Sequence, residues 1–280
     1  MTTLDAIVGG AVQGLTEFLP VSSSGHLVLT RYFYGVKEGM TLTYSIFLHG
    51  GTLLAVCIAL WRDIWTIARD FITGKGYGRR IGFAVIIATI PGALVGYFLE
   101  SRIDTVFVEH GAVFRGIPLE PYKFVGVAFI LTAVLFLQRA DEVLVRRSEK
   151  KEDGVGPEKL SLQTALKIGL AQAAAVVPGI SRSGATIATG IMTGVSRDFA
   201  VRFSFLLSIP IILGSIAHSL PAFRVQMTYE SDLKILWLGF AVAAVSGYLA
   251  IRFMLRFLAT RTFHPFVVYL WIIGLLCIAS

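Results

Sequence analysis

Six stretches of this chain, at roughly 43–61, 81–99, 122–138, 203–220, 235–251 and 264–280, run almost without charge. Each approaches the length of about 20 residues that a helix needs to cross a bilayer core, and tilt or flanking aromatic residues extend the shorter ones. Water does not solvate so much apolar helix surface, whereas lipid does. Composition agrees: 55% of the residues are hydrophobic and 15% charged, against about a quarter charged in an ordinary soluble domain. The net charge of +7 lies mostly in short segments between the apolar runs, where basic residues set topology. No nucleic-acid partner is expected. Cys57 and Cys277 sit inside apolar runs and read as buried free thiols. The first run is preceded by Asp5 and no basic residue, and it passes into Gln13 and Glu17, so it is not read as a signal peptide.

Two further apolar stretches, 4–30 and about 160–193, are interrupted by polar residues. Laid over each other at an offset of 159, Gly10 falls on Gly169, Gln13 on Gln172, Ser22 on Ser181, Ser24 on Ser183 and Gly25 on Gly184. Three plain apolar runs follow each stretch. This is an internal repeat, about 1–138 and 162–280, separated by the charged segment 139–161, which reads as a solvated cytoplasmic linker. An odd number of crossings per half requires the second half to insert upside down. With the interrupted segments returning to their own side, one face carries 16 Lys and Arg and the other seven. The richer face is expected in the cytoplasm and both termini outside. Non-helical backbone at membrane depth is tolerated only inside protein or beside a wet cavity, and inverted repeats bring such breaks together near the midplane.

The residues at the breaks suggest a chemistry. Gln13 and Glu17 are four apart, on one helical face before Pro20. An acid in so apolar a setting calls for a partner and a function. "PVSSSGH", 20–26, adds three hydroxyls, a glycine that permits a tight turn, and His26, an acid–base candidate. "PGISRSGAT", 178–186, sets Arg182 among hydroxyls where a helix is expected to open near Ser183. A guanidinium fork beside a helix N-terminus suits phosphate, and the same Arg also suits neutralising Glu17. Nucleophile, base, carboxylate and phosphate clamp together fit hydrolysis of a phosphoester or phosphoanhydride on an amphiphilic substrate. For the nucleophile, Ser23 with His26 three residues on, and a water activated by Glu17 or His26, both stay open. No zinc spacing and no Gly-rich nucleotide loop is present.

"QGLTEFLPVSSSGH" and "PGISRSGAT" resemble the two signature motifs of the undecaprenyl-pyrophosphate phosphatase family of the bacitracin-resistance type, and the resemblance extends through "FSFLLSIP" at 203–210. It implies an all-α polytopic membrane protein with six transmembrane helices and two re-entrant helix pairs in an inverted-topology repeat. It also implies removal of the terminal phosphate of a polyprenyl pyrophosphate at the outer face of the cell membrane, recycling a lipid carrier. Under this resemblance Glu17, Ser23, His26 and Arg182 are the expected catalytic residues. Gln13, Ser22, Ser181, Ser183, Gly184 and Thr186 are expected to bind substrate. A divalent cation, Mg²⁺ or Ca²⁺, is implied, with Glu17 its candidate ligand, and a homodimer is left open. Two positions depart from the family's pattern. Gln13 replaces a commoner Glu, and His49 stands where a Gln-Leu-Gly pattern is expected, either as a packing residue or as a donor behind the site.

Other classes remain. A polyprenyl-phosphate transporter or flippase would share the architecture without needing Ser23 or His26. The membrane phosphatases that pair a PSGH motif with a later SR and histidine would need a histidine that "SGATIATGIMT" lacks. A scaffold would leave Glu17 and Arg182 unexplained.

Overall fold

The computed structural model describes residues 2–34, 42–104, 112–114, 117–150, 154–227 and 233–280. Of the basic residues that bear on topology, Lys37, Arg115 and Lys151 lie outside them. The described chain is almost entirely helical. Helix α1 is Thr3–Phe18, α2 Ser23–Tyr34, α3 Leu42–Ala59, α4 Trp61–Thr73 and α5 Tyr77–Asp104. Helix α6, Pro121–Leu131, runs through a π-helical segment, Thr132–Gln138, into α7, Arg139–Lys150. Then come α8 Leu162–Ala174, α9 Arg182–Met192, α10 Arg197–Met227, α11 Leu233–Thr260 and α12 His264–Ala279. One departure from an all-α chain is a short antiparallel hairpin, Ala112–Phe114 with Ile117–Leu119.

Among the described residues, four helical segments are long and apolar enough to cross a membrane: Tyr77–Leu99, Pro121–Glu149, Arg197–Leu220 and Leu233–Thr260. Helices α3 and α4 meet at a 76° bend and make a fifth crossing if taken as one span. Helix α12 is apolar but has only 16 residues, about 24 Å at 1.5 Å per residue, against a hydrocarbon core of about 30 Å.

Small residues set the packing. Helix α1 lies against α11, and α8 against α5. A Cβ at Gly14 would strike Ser246 Oγ and stand 2.7 Å from the Gly247 nitrogen. At Gly169 it would stand 2.8 Å from the Ala88 Cα. Such close backbone approach is how helices associate in lipid, where no hydrophobic force draws them together. Helix α3 also packs on α10, and α6 on α12.

Within the segment 139–161, read as a solvated linker, residues 139–150 are helical. Its charges alternate with apolar residues at helical spacing, so α6 continues into α7 and buries Ala140 and Leu144. Arg147 donates to the carbonyls of Ile191 (2.7 Å) and Val195 (2.9 Å), at the end of α9. Arg80 donates to the Leu160 carbonyl at 2.6 Å.

Candidate active site at the two helix breaks

Helix α1 is opened by a capping box. The Thr2 hydroxyl accepts from Asp5 N–H, and the Asp5 carboxylate from Thr2 N–H. It stops at Phe18 because Pro20 disfavours helical backbone at Leu19. Ser22 then takes φ +72°, left-handed backbone that is costly for a residue other than glycine. That turn starts α2 at Ser23, with the Ser22 hydroxyl accepting from Gly25 N–H at 3.4 Å. The second break runs from the end of α8 to Ser181, which caps α9 by accepting from Gly184 N–H at 3.1 Å. Gly179 has φ +93°, and a Cβ there would lie 2.7 Å from that of Ala128.

The breaks are stitched together. Ser183 Oγ donates to the Leu19 carbonyl at 2.8 Å, and Gly179 N–H reaches Ser24 Oγ at 3.4 Å. Thr132, at the start of the π-helical segment, accepts from Ser181 N–H at 3.2 Å and donates to the Ala128 carbonyl at 3.0 Å. Nothing in the run 122–138 singles out this hydroxyl as a brace for a loop 49 residues later.

At the centre stands Glu17. Its Oε1 accepts from Arg182 Nη2 at 2.6 Å, and its Oε2 accepts from Ser23 Oγ at 2.6 Å and Gln13 Nε2 at 3.0 Å. Burial leaves the Glu17 side chain 7% exposed and that of Arg182 15%. Three buried side-chain atoms have no partner among the described residues: Arg182 Nη1, Gln13 Oε1 and Gln172 Oε1. Unpaired buried polar atoms are costly. A free guanidinium nitrogen beside a paired one is the donor an anion would take.

These groups open on a cavity of about 440 Å³. Glu17, Ser22, Ser23, His49, Ser181 and Arg182 form its polar part. Gly92, Tyr97, Val176, Pro210 and Ile211 belong to the remainder, with His218 also on the wall. A cavity lined by charged, hydroxyl and apolar side chains suits a molecule with a polar head and a hydrocarbon tail.

The remaining expected residues sit around this centre. Gln13 lies behind Glu17. Ser183 gives its hydroxyl to Leu19, Gly184 its N–H to Ser181, and Thr186 bonds the Arg182 carbonyl (2.8 Å) and Ser204 Oγ (2.6 Å). His26 does not face Ser23. Its Nδ1 donates to the Ser22 carbonyl at 2.7 Å, and its Nε2 meets the Tyr269 hydroxyl at 2.6 Å. Both ring nitrogens are therefore engaged, and the proton acceptor beside Ser23 is Glu17. Tyr269, 243 residues from His26, gives no sign in the sequence of this role.

Residues 6–276 match the family model of the bacitracin resistance protein BacA. Breaks that place a buried carboxylate, an arginine and a hydroxyl on one cavity occur here in a chain that belongs to the BacA family. The chain is 39% identical to an undecaprenyl-diphosphatase of Rubrobacter xylanophilus, over 95% of this chain and 93% of that protein. It is 36% identical to one from Geotalea daltonii, over 99% and 98%. With one from Methanobrevibacter smithii it shares 38% identity, over 99% and 96%.

Proposed function

We propose that the protein hydrolyses a polyprenyl pyrophosphate of the undecaprenyl type to the polyprenyl monophosphate and inorganic phosphate. The observation that carries this reading is the Arg182–Glu17–Ser23 chain of 2.6 Å contacts with Arg182 Nη1 left free. Arg182 receives the terminal phosphate on that nitrogen, and the N-terminus of α9, whose first amides precede the intrahelical bonds, adds donors and positive dipole. Ser23 attacks the terminal phosphorus while its proton passes to Glu17 Oε2. The anhydride P–O bond breaks, polyprenyl phosphate leaves, and water then hydrolyses the phosphoserine. Gln13 holds the carboxylate in line. The Ser22 carbonyl and Tyr269 hold His26, which fixes the turn that presents Ser23.

A divalent cation fits in a restricted way. Among the described residues no three His, Cys, Asp or Glu side chains gather to hold a metal, so an all-protein Ca²⁺ cage is not supported. One carboxylate, Glu17, with the spare Gln13 Oε1 behind it, fits Mg²⁺, which keeps several waters and takes substrate phosphate oxygens. The ion would neutralise phosphate charge.

Six crossings and two re-entrant pairs in an inverted repeat remain our reading of the architecture. It is supported by reciprocal packing: α1 pairs with α11 as α8 does with α5, while α3 meets α10 and α6 meets α12. The 16-to-seven division of basic residues supports a site open to the outer face of the cell membrane, with both termini outside and the lipid carrier returned for reuse in glycan or cell-wall synthesis. Detergent-purified protein given polyprenyl pyrophosphates of several lengths tests the reaction. Stoichiometric release of phosphate and polyprenyl phosphate is expected. No release, with lipid moved across vesicles instead, would make the protein a transporter.

A further inference from the structure

Five histidines occur in the chain, and the one expected to do acid–base work, His26, has both ring nitrogens engaged. His49 differs in each respect that matters. It lines the cavity with Glu17, Ser23 and Arg182, and His26 does not. Its Nδ1 lies 2.8 Å from the Ser45 carbonyl one turn back on α3. A carbonyl only accepts, so Nδ1 carries the proton and the neutral ring keeps its lone pair on Nε2. Among the described residues nothing bonds Nε2, and it is not among the sealed, unpartnered atoms. The ring is thus held at Nδ1 and unbonded at Nε2, on a residue that lines the cavity.

The charged and titratable groups around it are few. Glu17 comes from α1 and lines the same cavity. Arg182 comes from α9, and His218 from α10 on the same cavity. Helix α11 meets the neighbouring Gly50 and Gly51 with Phe240 and Ala243. In the proposed reaction Glu17 is spent in the first half, since it leaves that step holding the Ser23 proton. The second half, water attack on the phosphoserine, needs another base.

We propose that His49 is that base, its Nε2 taking a proton from the water that attacks phosphorus. This rests on the reading of Ser23 as nucleophile. The balance closes: the water oxygen bonds to phosphorus, the Ser23 Oγ–P bond breaks, Ser23 regains the proton from Glu17, and His49 holds the proton from water until it passes to solvent. The active form is the neutral ring.

The test is rapid-quench kinetics on purified wild type, His49→Gln and His49→Ala. His49→Gln keeps a polar side chain of similar reach but no base. It is expected to form about one polyprenyl phosphate per enzyme quickly, with phosphate release slowed 100-fold or more. Millimolar imidazole is expected to restore phosphate release in His49→Ala, which also shows that variant to be folded. Equal slowing of both products without rescue, or unchanged phosphate release in His49→Gln, overturns the role of His49. A wild type that releases no phosphate overturns the proposed function itself, a separate outcome.

Discussion

Ser23 Oγ lies 2.6 Å from Glu17 Oε2, with the hydroxyl donating across the break between α1 and α2. If attack is by serine, Ser23→Ala removes the nucleophile and should abolish turnover. Ser24→Ala loses a 3.4 Å contact to Gly179 N–H and a 3.2 Å contact to Ser22 Oγ and should cost less than tenfold. Phosphoserine trapped at Ser23 by rapid quench would support this directly. Substantial turnover by Ser23→Ala would hand the attack to water.

Arg182→Ala should lower kcat/KM by about 10²–10³-fold, the cost of about 2.7–4 kcal/mol typical of a lost donor to developing charge. Arg182→Lys should recover little, because one ammonium cannot hold Glu17 and a phosphate oxygen through a planar fork. Phosphate release measured against substrate concentration checks both. Near-normal kinetics in Arg182→Ala would remove this residue from the site.

Glu17→Gln keeps an oxygen for Arg182 but cannot accept the Ser23 proton. It should fold and lose most activity. Gln13→Ala removes one 3.0 Å bond to the carboxylate, worth about 1.5–3 kcal/mol for a charged acceptor, and should cost roughly 10- to 150-fold. Greater damage from Gln13→Ala than from Glu17→Gln would reverse their assigned roles.

EDTA should suppress phosphate release and Mg²⁺ should restore it, with water and substrate filling the coordination shell. Ca²⁺ restoring activity while Mg²⁺ does not would contradict the single-carboxylate fit.

A Cβ at Gly25 would fall on the Phe129 ring edge and 3.1 Å from the Gly179 Cα, where the two breaks touch. Gly25→Ala should therefore destabilise by about 1–3 kcal/mol, as overpacking does. At Gly156 nothing lies within 4 Å, and Gly156→Ala should shift stability by no more than about 0.5 kcal/mol. Thermal unfolding in detergent separates them.

Much of this architecture was legible because lipid enforces simple rules. Long apolar runs marked the helices, and polar residues inside them marked Glu17, Ser23 and Arg182 as residues that must meet in protein. What stayed hidden depends on three-dimensional pairing. Sequence spacing put His26 one turn from Ser23, but the ring bonds the Ser22 carbonyl and the Tyr269 hydroxyl while the Ser23 hydroxyl bonds Glu17. Thr132 looks like any hydroxyl in an apolar helix until Ser181 arrives beside it. The 139–161 segment was read by its charge density, and the apolar face carrying Ala140 and Leu144 was outweighed. Crossing number is the least legible property, since α3 and α4 bend by 76° between two runs of different polarity.

Glu17 and Arg182 stand 165 residues apart. At a synthesis rate of about 5–20 residues per second, the carboxylate leaves the ribosome roughly ten to thirty seconds before the guanidinium. Throughout that interval Glu17 lacks Arg182, its partner in the finished fold, and hydrocarbon is a poor host for a lone acid. The nascent first half must wait at the headgroup layer or carry its acid protonated, and it settles when α9 emerges. The ion pair therefore sets an order of biogenesis, in which the first half stays catalytically silent until the second has been made.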